Sequence, residues 1–110
     1  MFNLSSIMWH DLPLDQISIK SDSFELVITP FNELTKEYDV YTFKLFSFLS
    51  LSLSIESQLD LAMLKEMEIT SFEYTLKNGK LSGTIGILPA NAGFWSISFE
   101  DARWSINSST

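Results

Sequence analysis

The sequence predicts a mainly β protein: six or seven antiparallel strands in a small sandwich or strongly curved sheet, with at most one short helix. Apolar and polar residues alternate at period two in at least five places, the signature of half-buried strands. An Asn-Gly pair sits between two such runs and marks a tight hairpin. The length of 110 residues gives room for one core and no second, so residues 1–110 are expected to form a single domain.

The first hairpin is read from Ile17 and Ile19, then the polar Ser21-Asp22-Ser23, then Phe24, Leu26 and Ile28. Pro30 ends it, because proline donates no ladder hydrogen bond and holds Thr29 extended. Phe31 to Tyr38 reads as a polar connection or a short helical turn. From Val40 to Ile55 the alternation is longer than one ordinary strand, which predicts two strands or one bent at a bulge near Phe46 to Phe48. Ser57 to Met67 is the helix candidate: Ser57 and Asp60 form a weaker capping box, and Leu59, Met63 and Met67 recur at helical spacing.

Lys77-Asn78-Gly79-Lys80 is expected to be a type I′ turn, since Asn and Gly tolerate the positive φ it requires. Counting outward from it sets Leu76 opposite Leu81, Tyr74 opposite Gly83 and Phe72 opposite Ile85, so the apolar residues share one face and Tyr74 covers the glycine. Leu88 to Gly93 reads as a loop by composition. The last strand alternates at Trp95, Ile97 and Phe99, then changes phase to Ala102, Trp104 and Ile106. A bulge or turn at Glu100 to Asp101 is expected.

Composition narrows the chemistry. Hydrophobic residues make up 45% of the chain and aromatic ones 14%, enough apolar surface to offset the entropy of ordering, so the chain is expected to fold. Without cysteine there is no disulfide, thiolate zinc site or cysteine nucleophile, and a cytoplasmic location is the simplest expectation. With a single histidine, a transition-metal site would need His10 plus carboxylates, and none stands at ligand spacing. No Gly-x-Ser-x-Gly elbow or phosphate-cradling glycine loop occurs. No catalytic residue, metal or cofactor is therefore expected, and the protein is read as a non-enzyme.

The net charge is -7 and is dispersed: up to Ile55 the chain has seven acids against three bases, and after it seven against four. This disfavours nucleic acid and anionic membrane and favours a basic protein partner. Met1 to Trp9 lacks the basic start and the cleavage site of a secretory signal, and Leu45 to Ile55 is too short to span a bilayer as a helix, so no membrane segment is expected. A half-solvated sheet with open edges leaves room for a homodimer.

Trp95 and Trp104 lie on apolar strand phases and are expected in the core. Trp9 precedes the first strand, either anchoring it or standing exposed as a contact for a partner. Trp9-His10-Asp11, Ile17-Ser18-Ile19, Phe43-Lys44-Leu45-Phe46, Glu68 to Tyr74 and the closing Trp95-Ser96-Ile97-Ser98-Phe99 together resemble a group of small bacterial β domains, some of them similar to immunity proteins of toxin systems. That resemblance implies a binding protein, with no catalytic residues to carry over. Trp9, His10 and Asp11 are accordingly the candidate partner-binding residues. The alternative expectation is a structural or small-ligand-binding β module, recognisable by a pocket with a few convergent polar groups.

Overall fold

The computed structural model describes residues 4–56, 67–89 and 94–108. A 3-10 turn at Leu4–Ser6 leads into strands β1 (Leu12–Ile19), β2 (Ser23–Ile28), β3 (Phe31–Asn32), β4 (Glu37–Tyr38), β5 (Tyr41–Phe46), β6 (Ser50–Glu56), β7 (Met67–Lys77), β8 (Lys80–Pro89) and β9 (Phe94–Ser108). Every pairing is antiparallel. The main sheet has seven strands in the order β5-β2-β1-β7-β8-β9-β6, and β5 also pairs with β9. The strongly curved sheet therefore curves all the way round: β1, β2, β5, β9, β8 and β7 form a closed ring, a feature that alternation alone does not specify.

Closure depends on the longest strand. β9 runs for 15 residues, and one of its edges serves two strands in succession. Its first half pairs with β6, from Glu56↔Phe94 to Ser50↔Glu100, and its second half with β5, from Phe46↔Arg103 to Tyr41↔Ser108. Between these runs both chains kink. Ser47 has φ 52° and Asp101 has φ 50°, and Leu49 N–H donates to the Glu100 carbonyl at 2.8 Å. The bend expected near Phe46 to Phe48 and the phase change expected at Glu100 to Asp101 thus face each other across one ribbon. The phase change keeps Trp95, Ile97 and Phe99 inside before the kink and Ala102 inside after it, with Trp104 and Ile106 packed against the core.

The β7–β8 hairpin follows the register read from Asn78-Gly79. Asn78 has φ 55° and Gly79 φ 77°, and the pairs Leu76↔Leu81, Tyr74↔Gly83 and Phe72↔Ile85 all occur. Leu76 lies on the expected face but is exposed, because the hairpin tip extends past the core. Further along, Thr70 is an extra residue in β7 between the pairs Ile69↔Ile87 and Ser71↔Gly86. Leu88 and Pro89, expected in a loop, still belong to β8, opposite Glu68 and Met67. Proline suits the end of a strand. Residues 90–93 of that loop lie outside the described residues.

The helix expected from Ser57 to Met67 also lies outside the described residues, apart from Met67, which is a buried strand residue opening β7. Phe31 to Tyr38 is a small hairpin built round a helical turn. The Asn32 side chain accepts from the Leu34 and Thr35 amides at 2.9 and 3.3 Å, Lys36 N–H donates to the Asn32 carbonyl at 2.8 Å, and Phe31 and Tyr38 pair across β3 and β4. The local hydrogen bonds of Asn32 set the turn, as asparagine does in Asx turns.

The interior is continuous and aromatic at one end. Phe72 stacks on Trp9 edge-to-face at 4.8 Å and lies within 4.7 to 6.1 Å of Tyr74, Phe43 and Phe99. Trp9 also meets Phe43 at 5.4 Å. Each fully buried Phe, Leu or Ile contributes about 1.5–3 kcal/mol through removal from water. Leu4, Ile7 and Trp9 enter this interior ahead of β1, so the amino-terminal segment plugs the ring.

Just past the end of β1, the Lys20 ammonium lies 2.9 Å from Oε2 of Glu25 on β2. The hydrogen bond from Lys20, helped by its charge, holds the Glu25 carboxyl below its ordinary value, and Glu25 raises Lys20 in turn. A carboxyl depressed by folding contributes stability above its unfolded pKa and loses it as pH falls through the folded one. The lysine contribution is lost only as pH rises through its own raised value. The pair is open to solvent, so the effect is small.

Two outcomes are expected. Gly83→Ala should destabilise the fold by about 1–3 kcal/mol in urea titration, since a Cβ there meets Glu73 O and lies 2.9 Å from Tyr74 Cα and Cβ. NMR titration should find the Glu25 carboxyl midpoint lower in the native protein than in Lys20→Gln, and the small stability difference between the two should vanish in acid.

Candidate functional site

His10 and Asp11 are placed by the turn that leads from the buried Trp9 into β1. The Trp9 indole is 8% exposed and donates from Nε1 to the Leu4 carbonyl at 3.0 Å, so this tryptophan anchors the first strand and presents no surface to a partner. The next two residues face outward. His10 Nδ1 lies 2.7 Å from the Thr70 carbonyl, which can only accept, so this nitrogen carries a proton. Thr70 is the extra residue of the β7 bulge, and His10 supplies a partner to a carbonyl at that irregularity. His10 Nε2 stands 3.4 Å from Asp11 Oδ2, an ion pair when both ring nitrogens are protonated. Both side chains are well exposed, so the pair adds little to stability.

Asp11 has φ 57°, the left-handed conformation that aspartate tolerates better than most residues. Asp11 lines a surface cleft of about 330 Å³, whose walls also include Met8, His10, Phe31, Glu33 and Tyr38. The far wall is the β3–β4 hairpin. Phe31 and Tyr38 meet edge-to-face at 5.2 Å across it, and Leu34 stands at its tip 95% exposed. Met8, on the near wall, is 80% exposed. Asp39 ties the hairpin base: its amide donates to the Pro30 carbonyl at 2.9 Å, and its Oδ2 accepts from Asn32 Nδ2 at 3.0 Å.

The arrangement is therefore an exposed apolar and aromatic cleft that also carries the carboxylates of Asp11 and Glu33. The nearby Lys36 ammonium is engaged by Glu33 at 3.3 Å. Of the residues singled out from sequence, His10 and Asp11 belong to this surface and Trp9 supports it from beneath. Met8, Phe31, Leu34 and Tyr38 were missed. The available signal was an aromatic at each end of a short loop after Pro30, a spacing that lets two rings pair across a hairpin.

No group of three or more His, Asp or Glu side chains among the described residues could hold a metal ion, and no helix there is long and apolar enough to cross a membrane. Comparison with family models, with curated proteins and with solved structures finds no match for this chain. The surface must be interpreted from its own chemistry.

The backbone at Asp11 supplies a direct test. Asp11→Gly should keep the fold and its stability, whereas Asp11→Val should cost about 1–2 kcal/mol in urea titration, because a branched Cβ is penalised at positive φ. Equal stability of the two variants would show that the turn is not held in this conformation.

Proposed function

We propose that this protein is a non-enzymatic binding domain that docks a basic protein through the surface formed by Met8, His10, Asp11, Phe31, Leu34 and Tyr38. The observation that carries this reading is the exposed Phe31–Tyr38 pair, which shares a cleft with Met8 and the acidic Asp11 and Glu33 and belongs to the hairpin that exposes Leu34. Aromatic anchors at the centre of a patch supply binding energy when water is excluded from them, and the surrounding charge sets partner choice and association rate. The net charge of -7 extends the same preference over the whole molecule. A neutralising, immunity-type role against a basic toxin is the specific form suggested by the resemblance of the strand pattern. A cytoplasmic site of action accords with the absence of cysteine.

The β3–β4 hairpin suits this role mechanically. It forms a two-stranded sheet separate from the ring, joined to it through Pro30 and Asp39. Substituting its exposed side chains leaves the ring core untouched, so binding and folding can vary independently.

The test uses the purified product of the neighbouring reading frame and measures its association with the full chain. Binding is expected to weaken steeply with added salt. The Phe31→Ala, Tyr38→Ala double variant should bind at least about tenfold more weakly at unchanged melting temperature. Binding indifferent to both salt and the double substitution would sink the proposal, as would failure of this chain to associate with that product.

A further inference from the structure

A second feature lies at the other end of the ring from Trp9. Among the described residues the β1–β7 seam extends to Leu14↔Met67, and beyond it β1 has β2 as its one strand partner there. Where the seam parts, a groove of about 430 Å³ opens, lined by Asp15, Gln16, Ile17, Ile19, Met67 and Trp95. Its volume falls in the range of small-molecule sites, and the mouth of a β-barrel is a recurrent place for them. The lining is apolar apart from Asp15, Gln16 and one further group. Trp95 is 8% exposed, and its Nε1–H is a buried donor with no acceptor among the described residues. Buried indole N–H groups ordinarily find a partner, and one without it calls for an explanation.

We propose that this groove is a binding site for a small neutral molecule with an apolar body and a carbonyl oxygen, the Trp95 ring turning on binding so that the oxygen accepts from its Nε1–H while the body lies on Ile17, Ile19 and Met67. The chemistry of the lining selects that class. A hydrocarbon leaves the indole donor unsatisfied. A carboxylate meets Asp15 at the rim and finds no lysine or arginine among the lining residues, in a protein of net charge -7. A cation has no acceptor to offer the indole. A ketone, ester or tertiary amide satisfies every condition. This inference is independent of the docking surface at Phe31 and Tyr38, which lies beyond the opposite end of β1.

The test uses the full chain with Nile red, a neutral apolar dye carrying a carbonyl, and three competitors of similar body: hexanophenone, hexylbenzene and 6-phenylhexanoate. Nile red emission should rise to saturation at one equivalent. Hexanophenone should displace the dye most effectively and 6-phenylhexanoate least. Trp95→Phe keeps the ring and removes the donor; it should weaken hexanophenone about fivefold, the factor for one neutral hydrogen bond, and leave hexylbenzene unchanged. Ile19→Lys, at a position already more than half exposed, should weaken all the neutral ligands. A measurement free of any variant is the Trp95 indole proton resonance, which should move downfield with hexanophenone and stay in place with hexylbenzene. Non-saturable dye binding, equal affinity for the ketone and the hydrocarbon, or an indole resonance indifferent to both would overturn the proposal.

Discussion

The ring exists because β9 bends where its partner bends. A straight strand of that length would hold β5 and β6 in one plane and leave the sheet open. The matched kinks at Ser47 and Asp101 turn the ribbon as a unit, so β5 can pair with β2 on its far edge while β6 continues along the upper part of β9. Asp101 N–H also donates to Ser82 Oγ at 3.0 Å, which fastens the kink to β8 from the other side. The bulge thus has a hydrogen-bonded partner on each flank, and the inward phase of the apolar residues is restored after it. Ala102 is fully buried there, and a small side chain suits the close approach of strands at a bend.

The sequence reading and the structure agree most closely where side-chain chemistry is local. Asn78-Gly79 specifies a turn type, the turn specifies a register, and the register carries seven residue pairs, from Lys77↔Lys80 to Ser71↔Gly86, before the extra Thr70 shifts it. The phase changes at Ser47 and Asp101 are equally local, because a bulge moves every later residue to the other face. Closure was not legible, since it depends on which edges meet. Leu12 to Leu14 pair with Met67 to Ile69 about half the chain away, and nothing in either alternating run names the other. The β3–β4 hairpin was masked differently: its strands are two residues each, too short for any period to show, and its order comes from the Asn32 side chain and a pair of rings.

The two surfaces argued above follow from the same architecture. At the amino-terminal end of β1, Trp9 fills the ring and forces the chain outward through the left-handed Asp11, which exposes His10 and Asp11 beside the hairpin. At the carboxy-terminal end nothing equivalent to Trp9 enters among the described residues, and Trp95 is left with a buried donor. His10 and Asp11 were legible because an aromatic followed by two polar residues ahead of a strand is a visible discontinuity. The groove was not, because Ile17, Met67 and Trp95 each read as ordinary core positions and only their shared neighbourhood distinguishes them.

Among the described residues the seam between β1 and β7 has three residue pairs, fewer than any other junction in the ring. Each side of it is a locally connected unit: β1, β2 and β5 on one, β7, β8 and β9 on the other. Such a ring has a natural parting line. Separation there would break the fewest ladder hydrogen bonds and leave the β5–β9 junction as the spine between the two units. The groove proposed as a ligand site beside Trp95 begins where that line ends, so separation of the seam would also widen its mouth.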